Sequence, residues 1–329
     1  MLVDSTNLQA LTAYLQNRGL LAAHDFVIRA EKPGEGNMNY TLRLIFNERE
    51  SLICKQARPY VEKYPSIPAP QERILVEGNF YATLSENDAI AAYMPAIIHL
   101  DSENYILLLE DIGQANDLSY LYQKGETLST DDAASLGAYL HILHSQFKET
   151  HTSDLSANRT LRALNHEHIF VYPLLLENGF NLDDIQAGLQ ELALVYKNDE
   201  ALKAKAETLG AEYLADGTTL LHGDYYPGSF LASEKGLQVI DPEFSFYGFL
   251  EFDLAVLVAH LKLAQQSKTV LNSVLKAYNK PASFNENRFN AFVGIEIMRR
   301  LIGLAQLPLA LNLNEKEALL HEAYELIMA

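Results

Sequence analysis

The chain has 329 residues, enough for one large domain or for two lobes each with its own core, and its apolar share of 48% is that of an ordinary globular protein. Its 43 Asp and Glu against 25 Lys and Arg give a formal charge of −18, which argues against a nucleic-acid backbone or an anionic membrane as partner. With Cys54 alone, no intramolecular disulfide or cysteine metal site can form, and the charges interrupting the most apolar stretch, 249–264, predict a cytoplasmic protein without a membrane span.

Leu8, Leu11, Tyr14 and Leu15 recur at helical spacing and stop at Arg18-Gly19, so a short helix opens the chain. The alternating runs 26–30 and 40–46 bracket Pro33-Gly34-Glu35-Gly36-Asn37-Met38-Asn39 and predict a hairpin with a glycine-rich tip, spaced Gly34-x-Gly36-x-x-Asn39. A third strand covers 51–57, with Lys55 inside its apolar run. Tyr64-Pro65-Ser66-Ile67-Pro68-Ala69-Pro70 reads as a proline-rich link to a helix over 71–84 that sets Ile74, Glu77, Tyr81 and Leu84 on one stripe. A carboxylate there is costly unless paired, so Lys55 is the expected partner of Glu77, with Glu72 the alternative if the helix is rotated. Strands over 95–100 and 105–109 end at Glu110-Asp111-Ile112-Gly113 and complete a five-stranded lobe, 1–112.

The remainder, 113–329, reads as mostly helical. Leu136, Leu140, Leu143 and Phe147 form a core stripe, beside which His141 and His144 are expected to be packed or hydrogen-bonded. Asn165-His166-Glu167-His168 is metal-like only superficially, because on a helix residues two apart point roughly 200° apart. Helices are expected over 182–197 and 199–215, and a later one carries Ile295, Met298, Ile302 and the pair Arg299-Arg300.

Between these helices lie two acidic sites, His222-Gly223-Asp224 followed by Ser229, and Asp241-Pro242-Glu243. The apolar runs Phe230-Leu231-Ala232 and Leu237-Gln238-Val239-Ile240 flank Ser233-Glu234-Lys235-Gly236, so a hairpin is expected to bring Asp224 and Asp241 to one cleft. Phosphoryl transfer to a hydroxyl asks for such a layout, since one group must orient the attacking oxygen while others hold magnesium on nucleotide phosphates. Protein kinases write the first site H-R-D-x-x-x-x-N; here it reads H-G-D-Y-Y-P-G-S, with Gly223 in place of the phosphate-sensing arginine and Ser229 in place of the metal-binding Asn. On this pattern Asp224 is the catalytic base, and Asp241 with Ser229 or Glu243 holds Mg2+. Gly34, Gly36, Asn37 and Asn39 cover the phosphates of ATP, while Lys55 contacts them and pairs with Glu77. Backbone groups of Glu110 and Ile112 read the adenine edge. Tyr225, Arg299 and Arg300 are candidates for the acceptor side, the two arginines being equally able to pair with surface acids.

With Lys55, Glu77, HGD and DPEF in this order, the chain resembles the aminoglycoside phosphotransferase and choline kinase superfamily over nearly its whole length. GEGNMNYTLRL, LICKQARPYV, HGDYYPGSF, IDPEFSFYGFLEFD and MRRLIGLA are most similar to segments of methylthioribose kinases. The resemblance implies an α+β, protein-kinase-like two-lobe fold, with a small antiparallel-sheet N-terminal lobe and a larger helical C-terminal lobe. It also implies ATP as donor, Asp224 as base, Asp241 and Glu243 on magnesium, and Arg299 or Arg300 lining a sugar pocket. That family has a tryptophan-bearing loop after the lysine strand, where this chain has Glu62-Lys63-Tyr64-Pro65 and no Trp at all.

The leading expectation is therefore an ATP- and Mg2+-dependent kinase of a small-molecule hydroxyl, a thiosugar or sugar such as methylthioribose, with a homodimer as the candidate assembly. Aminoglycoside or choline/ethanolamine-type acceptors are the alternative. From other classes, a nucleotide-binding pseudokinase serving as an interaction module would account for Ser229 and the reduced glycine loop, and a metal-dependent hydrolase would need histidine ligands that the sequence does not place.

Overall fold

The computed structural model describes residues 1–34, 36, 38–149 and 153–329; Asn37, expected at the glycine-rich tip, lies outside them. The chain divides into two compact units, Met1–Ala115 with Gln238–Glu243, and Asn116–Leu237 with Phe244–Ala329.

In the first unit, helix α1 (Leu8–Asn17) starts at Asn7, whose side chain accepts from the Ala10 N–H, and stops before Gly19 at φ +69°. The strands are β1 (Val27–Glu31), β2 (Tyr40–Phe46), β3 (Leu52–Gln56), β4 (Tyr60–Val61), β5 (Tyr64–Pro68), β6 (Ile97–Asp101) and β7 (Ile106–Glu110), with helices α2 (Arg73–Leu84) and α3 (Asp88–Ala91) between β5 and β6. Five of the strands make one antiparallel sheet in the order β1-β2-β3-β7-β6. Leu42, Leu44, Leu52, Cys54, Ile106 and Leu108 pack with Leu11 and Leu15 of α1 into one core. Alternation along β3 separates the buried Lys55 from that cluster. The proline-rich stretch expected to be a link is instead strand β5, with Val61 opposite Tyr64 and Tyr60 opposite Pro68. A two-stranded ribbon has two free edges, so proline costs it little.

The second unit contains β8 (Asn116–Asp117), α4 (Thr130–Gln146), α5 (Asp154–Ala157), α6 (Arg159–His166), α7 (Leu189–Lys197), α8 (Glu200–Leu214) and β9 (Thr219–Leu221). After these come β10 (Phe230–Ser233), β11 (Gly236–Val239), whose last two residues belong to the first unit, β12 (Phe246–Gly248), α9 (Glu251–Leu263), α10 (Lys268–Tyr278), α11 (Glu286–Ile302) and α12 (Leu313–Met328). The helix expected over 182–197 is divided: a 3-10 turn covers Leu182–Asp184, and Gly188, at φ +87°, precedes α7. A left-handed residue cannot continue a right-handed helix, so the turn and α7 stay separate. Helices α9 and α11 are buried almost all round, and the charges they carry are therefore forced to find partners inside the protein. Among the described residues no helix is long and apolar enough to cross a membrane.

The hairpin β10–β11 turns at Ser233–Gly236, and beyond it Gln238–Glu243 packs with the first unit. There Val239 N–H donates to Tyr93 O at 2.6 Å and the Gln238 amide donates to Ala92 O at 3.0 Å. A short segment from late in the chain thus joins residues from its first third.

Candidate active site

The first unit assembles a charged cluster around Lys55. Its Nζ donates to Glu77 Oε1 at 2.5 Å and to Asp241 Oδ1, and the lysine and Glu77 are 6% and 0% exposed. Burial alone would lower the lysine pKa, but the Asp241 and Glu77 carboxylates outweigh it and hold the ammonium well above its ordinary value. Glu77 Oε2 receives no hydrogen bond among the described residues. Asp241 sits at φ +63°, a conformation Asp tolerates better than most residues, and its N–H donates to Tyr81 Oη at 3.2 Å. Two residues on, Glu243 accepts from Asn39 Nδ2 at 2.9 Å and lies 3.5 Å from Arg73 Nε; burial pushes its carboxyl up to about 8, with Arg73 pulling the other way. The guanidinium of Arg73 is 0% exposed and also donates to Asn39 Oδ1 and to the carbonyls of Met38, Arg58, Tyr60 and Pro70.

This arrangement changes the reading of several residues. Asn39 does not present its side chain to a ligand from the glycine-rich tip; it is clamped between Arg73 and Glu243. At Gly34 a Cβ would meet nothing within 4 Å, so local packing does not demand glycine there, and at Gly36 it would make only ordinary contacts. Glu110 closes β7, donating its N–H to Ala96 O and accepting Ala96 N–H on its carboxylate. Asp111, before Ile112, is fixed by Arg43, the Ser51 hydroxyl and Gly113 N–H.

The second unit carries the other set. Gly223 takes φ +86°, and a Cβ there would fall 2.1 Å from Phe244 O, so no side chain fits before Asp224. The loop is held from below by Asp253 of α9, 0% exposed, which accepts from His222 N–H at 2.7 Å and Gly223 N–H at 3.0 Å. Asp224 Oδ1 is 3.6 Å from Arg300 Nη2 and receives no hydrogen bond among the described residues. Burial raises the Asp224 pKa above the ordinary carboxylate value, while Arg300 and Arg299 oppose the rise. Ser229 is 2% exposed and its hydroxyl donates to Asp224 O at 2.9 Å.

Arg299 and Arg300 of α11 converge on Glu296, one turn earlier on the same helix. Arg300 Nε donates to Glu296 Oε1 at 2.6 Å and Arg299 Nη1 to Oε2 at 3.1 Å. Burial would raise this carboxyl, but the two guanidiniums and a hydrogen bond from His260 hold it well below the ordinary value. His260 Nε2 lies 3.0 Å from Glu296 Oε1, and its Nδ1 is 2.5 Å from Tyr122 Oη. The Tyr226 ring lies beside the Arg300 guanidinium, 5.1 Å from it, whereas Tyr225 is corrected to a core residue. Tyr225 is 0% exposed, stacks on Tyr139 at 5.6 Å and donates its hydroxyl to Leu136 O, so it has no surface to offer an acceptor.

Glu296 has a recognisable signal, an acid three and four residues before two arginines on an apolar helix. Asp253 and His260 share the same kind of signal, polar groups inside the apolar run of α9. Arg73 has none, because its partners are mostly backbone carbonyls brought together by the fold.

The phosphotransferase enzyme family matches residues 30–289. The chain belongs to that family. Among its relatives, methylthioribose kinase from Geobacillus sp. is 25% identical over 325 residues, spanning 86% of this chain and 80% of that protein. Methylthioribose kinase from Exiguobacterium sibiricum is 31% identical over 252 residues, 72% of this chain and 61% of that protein. In three dimensions the chain is similar to choline kinase LicA from Streptococcus pneumoniae, with a TM-score of 0.54 at 14% identity over 97% of this chain and 98% of that one. It is also similar to spectinomycin phosphotransferase, with a TM-score of 0.55 at 14% identity over 98% and 97%. The fold is thus the expected α+β, protein-kinase-like one, and the enzyme is a small-molecule kinase.

Removing one member of the Lys55–Glu77 pair leaves a buried charge unmatched, so Lys55→Ala should destabilise the kinase by ~3–5 kcal/mol in urea unfolding. The double variant Lys55→Met/Glu77→Leu should recover most of that loss without recovering nucleotide-dependent turnover. Recovery of both would make the pair structural only.

His260 provides a second expectation. Burial pushes its pKa down to about 4 from an ordinary 6.5, the Glu296 hydrogen bond opposing and Arg300 and Arg299 adding to the depression. Below pH 6.5 the unfolded chain binds a proton that the folded one refuses until about pH 4, so this residue makes stability fall as pH falls through that window. The groups facing the ring are Glu296, Arg299, Arg300, Tyr122 and Tyr226. Between pH 6.5 and pH 5 the parent should lose ~1.5 kcal/mol more than His260→Gln; equal losses would show that His260 is protonated when folded.

Proposed function

We propose that the kinase transfers the terminal phosphoryl group of ATP to a hydroxyl of a neutral polyhydroxy molecule, with methylthioribose the first candidate. The observation that carries this reading is the charge around Asp224. Arg300 stands 3.6 Å from its carboxylate and Arg299 adjoins, while Glu296 is the balancing acid, so two cations face two anions. An aminoglycoside ammonium group would call for carboxylates in excess of the cations, and beside Asp224 the cations Arg299 and Arg300 already match Asp224 and Glu296. The chain's overall charge of −18 does not reverse this, because exposed acids farther than about 8 Å are largely screened at physiological salt. The names of the relatives point the same way.

On the donor side, Lys55, kept charged by Glu77 and Asp241, would meet the phosphates. Asp241 and Glu243 are the candidates for Mg2+. Their fit is supported by the chemistry of the donor set, carboxylate oxygens that suit a hard cation. When bound, the ion would draw negative charge from the phosphate oxygens. Asp224 would orient the acceptor hydroxyl through Oδ1, which receives no hydrogen bond among the described residues, and accept its proton late, since a loose transition state leaves little charge on the nucleophile early. A pseudokinase would have no need to keep Lys55 paired and the loop that carries Asp224 braced by Asp253.

The test is Asp224→Asn, which keeps the shape and removes the charge. Nucleotide affinity by calorimetry should be unchanged, while ADP release with methylthioribose should fall by ~10² to 10⁴, the usual span for a general base. Turnover near the parental rate would remove Asp224 from the mechanism, and lost nucleotide affinity would make it a structural residue.

A further inference from the structure

The groups behind the acceptor-side arginines form a directed chain. Glu296, 1% exposed, is ionised and can only accept hydrogen bonds, so the His260 nitrogen 3.0 Å away, Nε2, must carry a proton. The ring stands beside two guanidiniums and is 0% exposed, which keeps it neutral, so Nδ1 is bare and accepts. The group facing Nδ1 at 2.5 Å is the hydroxyl of Tyr122, buried at 3% exposure and therefore the donor. Every proton in the series then has one place: Tyr122 Oη–H to His260 Nδ1, His260 Nε2–H to Glu296 Oε1, and Arg300 Nε–H to the same oxygen. The free end of Arg300, Nη2, is left towards Asp224, and Arg299 keeps Nε without a hydrogen-bond partner among the described residues.

From this geometry we infer that Glu296 is a positioning residue for the acceptor reaction, itself fixed by Tyr122 and His260, which aims Arg300 at Asp224 and holds Arg299 Nε ready for an acceptor hydroxyl. This deepens the proposed function and rests on its assignment of Asp224 to the acceptor. A carboxylate needed only to neutralise two arginines would tolerate several rotamers. Here Oε1 is shared by Arg300 and His260, which leaves one orientation of the carboxylate and hence one of the Arg300 fork. The Tyr226 ring, 5.1 Å from both the Arg300 guanidinium and the His260 ring, closes the remaining side.

The experiment compares Tyr122→Phe, His260→Leu and His260→Gln with the parent in two assays. His260→Gln can still donate to Glu296; His260→Leu cannot. In steady-state kinetics with methylthioribose and Mg-ATP, His260→Leu should raise the acceptor KM or lower kcat by about 10-fold or more, the weight of one charge-assisted hydrogen bond. Tyr122→Phe, the mildest change, should do so by severalfold, and His260→Gln should recover most of the parental value, all three with unchanged nucleotide affinity. In the second assay, NMR of the 15N-arginine-labelled protein, the Arg300 Nε–H should exchange slowly in the parent and His260→Gln and rapidly in His260→Leu. Equal exchange in all variants, or an equal loss of nucleotide and acceptor use, would overturn the inference. If the parent proves inactive on methylthioribose, the proposed acceptor fails while the exchange assay still decides whether the chain orients Arg300.

Discussion

A carboxylate that is 1% exposed stays ionised only if cations surround it, and the space around Glu296 is arranged to meet that constraint. Glu296 draws two guanidiniums of its own helix onto one face, accepts from His260 as well, and leaves one positive charge that Asp224, 3.6 Å from Arg300, balances. The electrostatic character of the space beside Asp224 is set by that cancellation more than by the acidic surface of the chain. Net charge is a property of exposed, screened groups, whereas the choice of acceptor depends on groups a few ångströms away in a poorly solvated setting.

The same constraint organises the first unit. Lys55 is buried in a strand, Glu77 in a helix, and neither is tolerable without the other. Asp241 reaches them only because Gln238–Glu243 packs with the opening third of the chain, tied there by Val239 and Gln238 to the carbonyls of Tyr93 and Ala92. Arg73 extends the arrangement, linking the end of the glycine-rich tip at Met38 and Asn39 to Glu243 and to the strand after Lys55. Lys55, Glu243 and Asn39 are thereby each held by more than one polar partner.

What could be read in advance came from periodicity. Lys55 and Glu77 stood out because each interrupts an apolar stripe, and the antiparallel sheet came from alternating runs separated by turn residues. Where periodicity is absent the reading failed: Tyr225 and Tyr226 are neighbours in a loop, and only the fold decides that the first enters the core beside Tyr139 while the second lies next to Arg300. Prolines hid strand β5, since composition cannot tell a link from a ribbon with free edges. Arg73 was invisible because carbonyl partners leave no trace in side-chain chemistry.

The most direct test of the account is a competition in one tube: methylthioribose, choline and an aminoglycoside at equal concentration with Mg-ATP and the enzyme, followed by 31P NMR. The charge balance around Asp224 predicts a single new phosphomonoester, that of the sugar, growing in step with ADP. Phosphocholine or a phosphorylated aminoglycoside appearing first would contradict it.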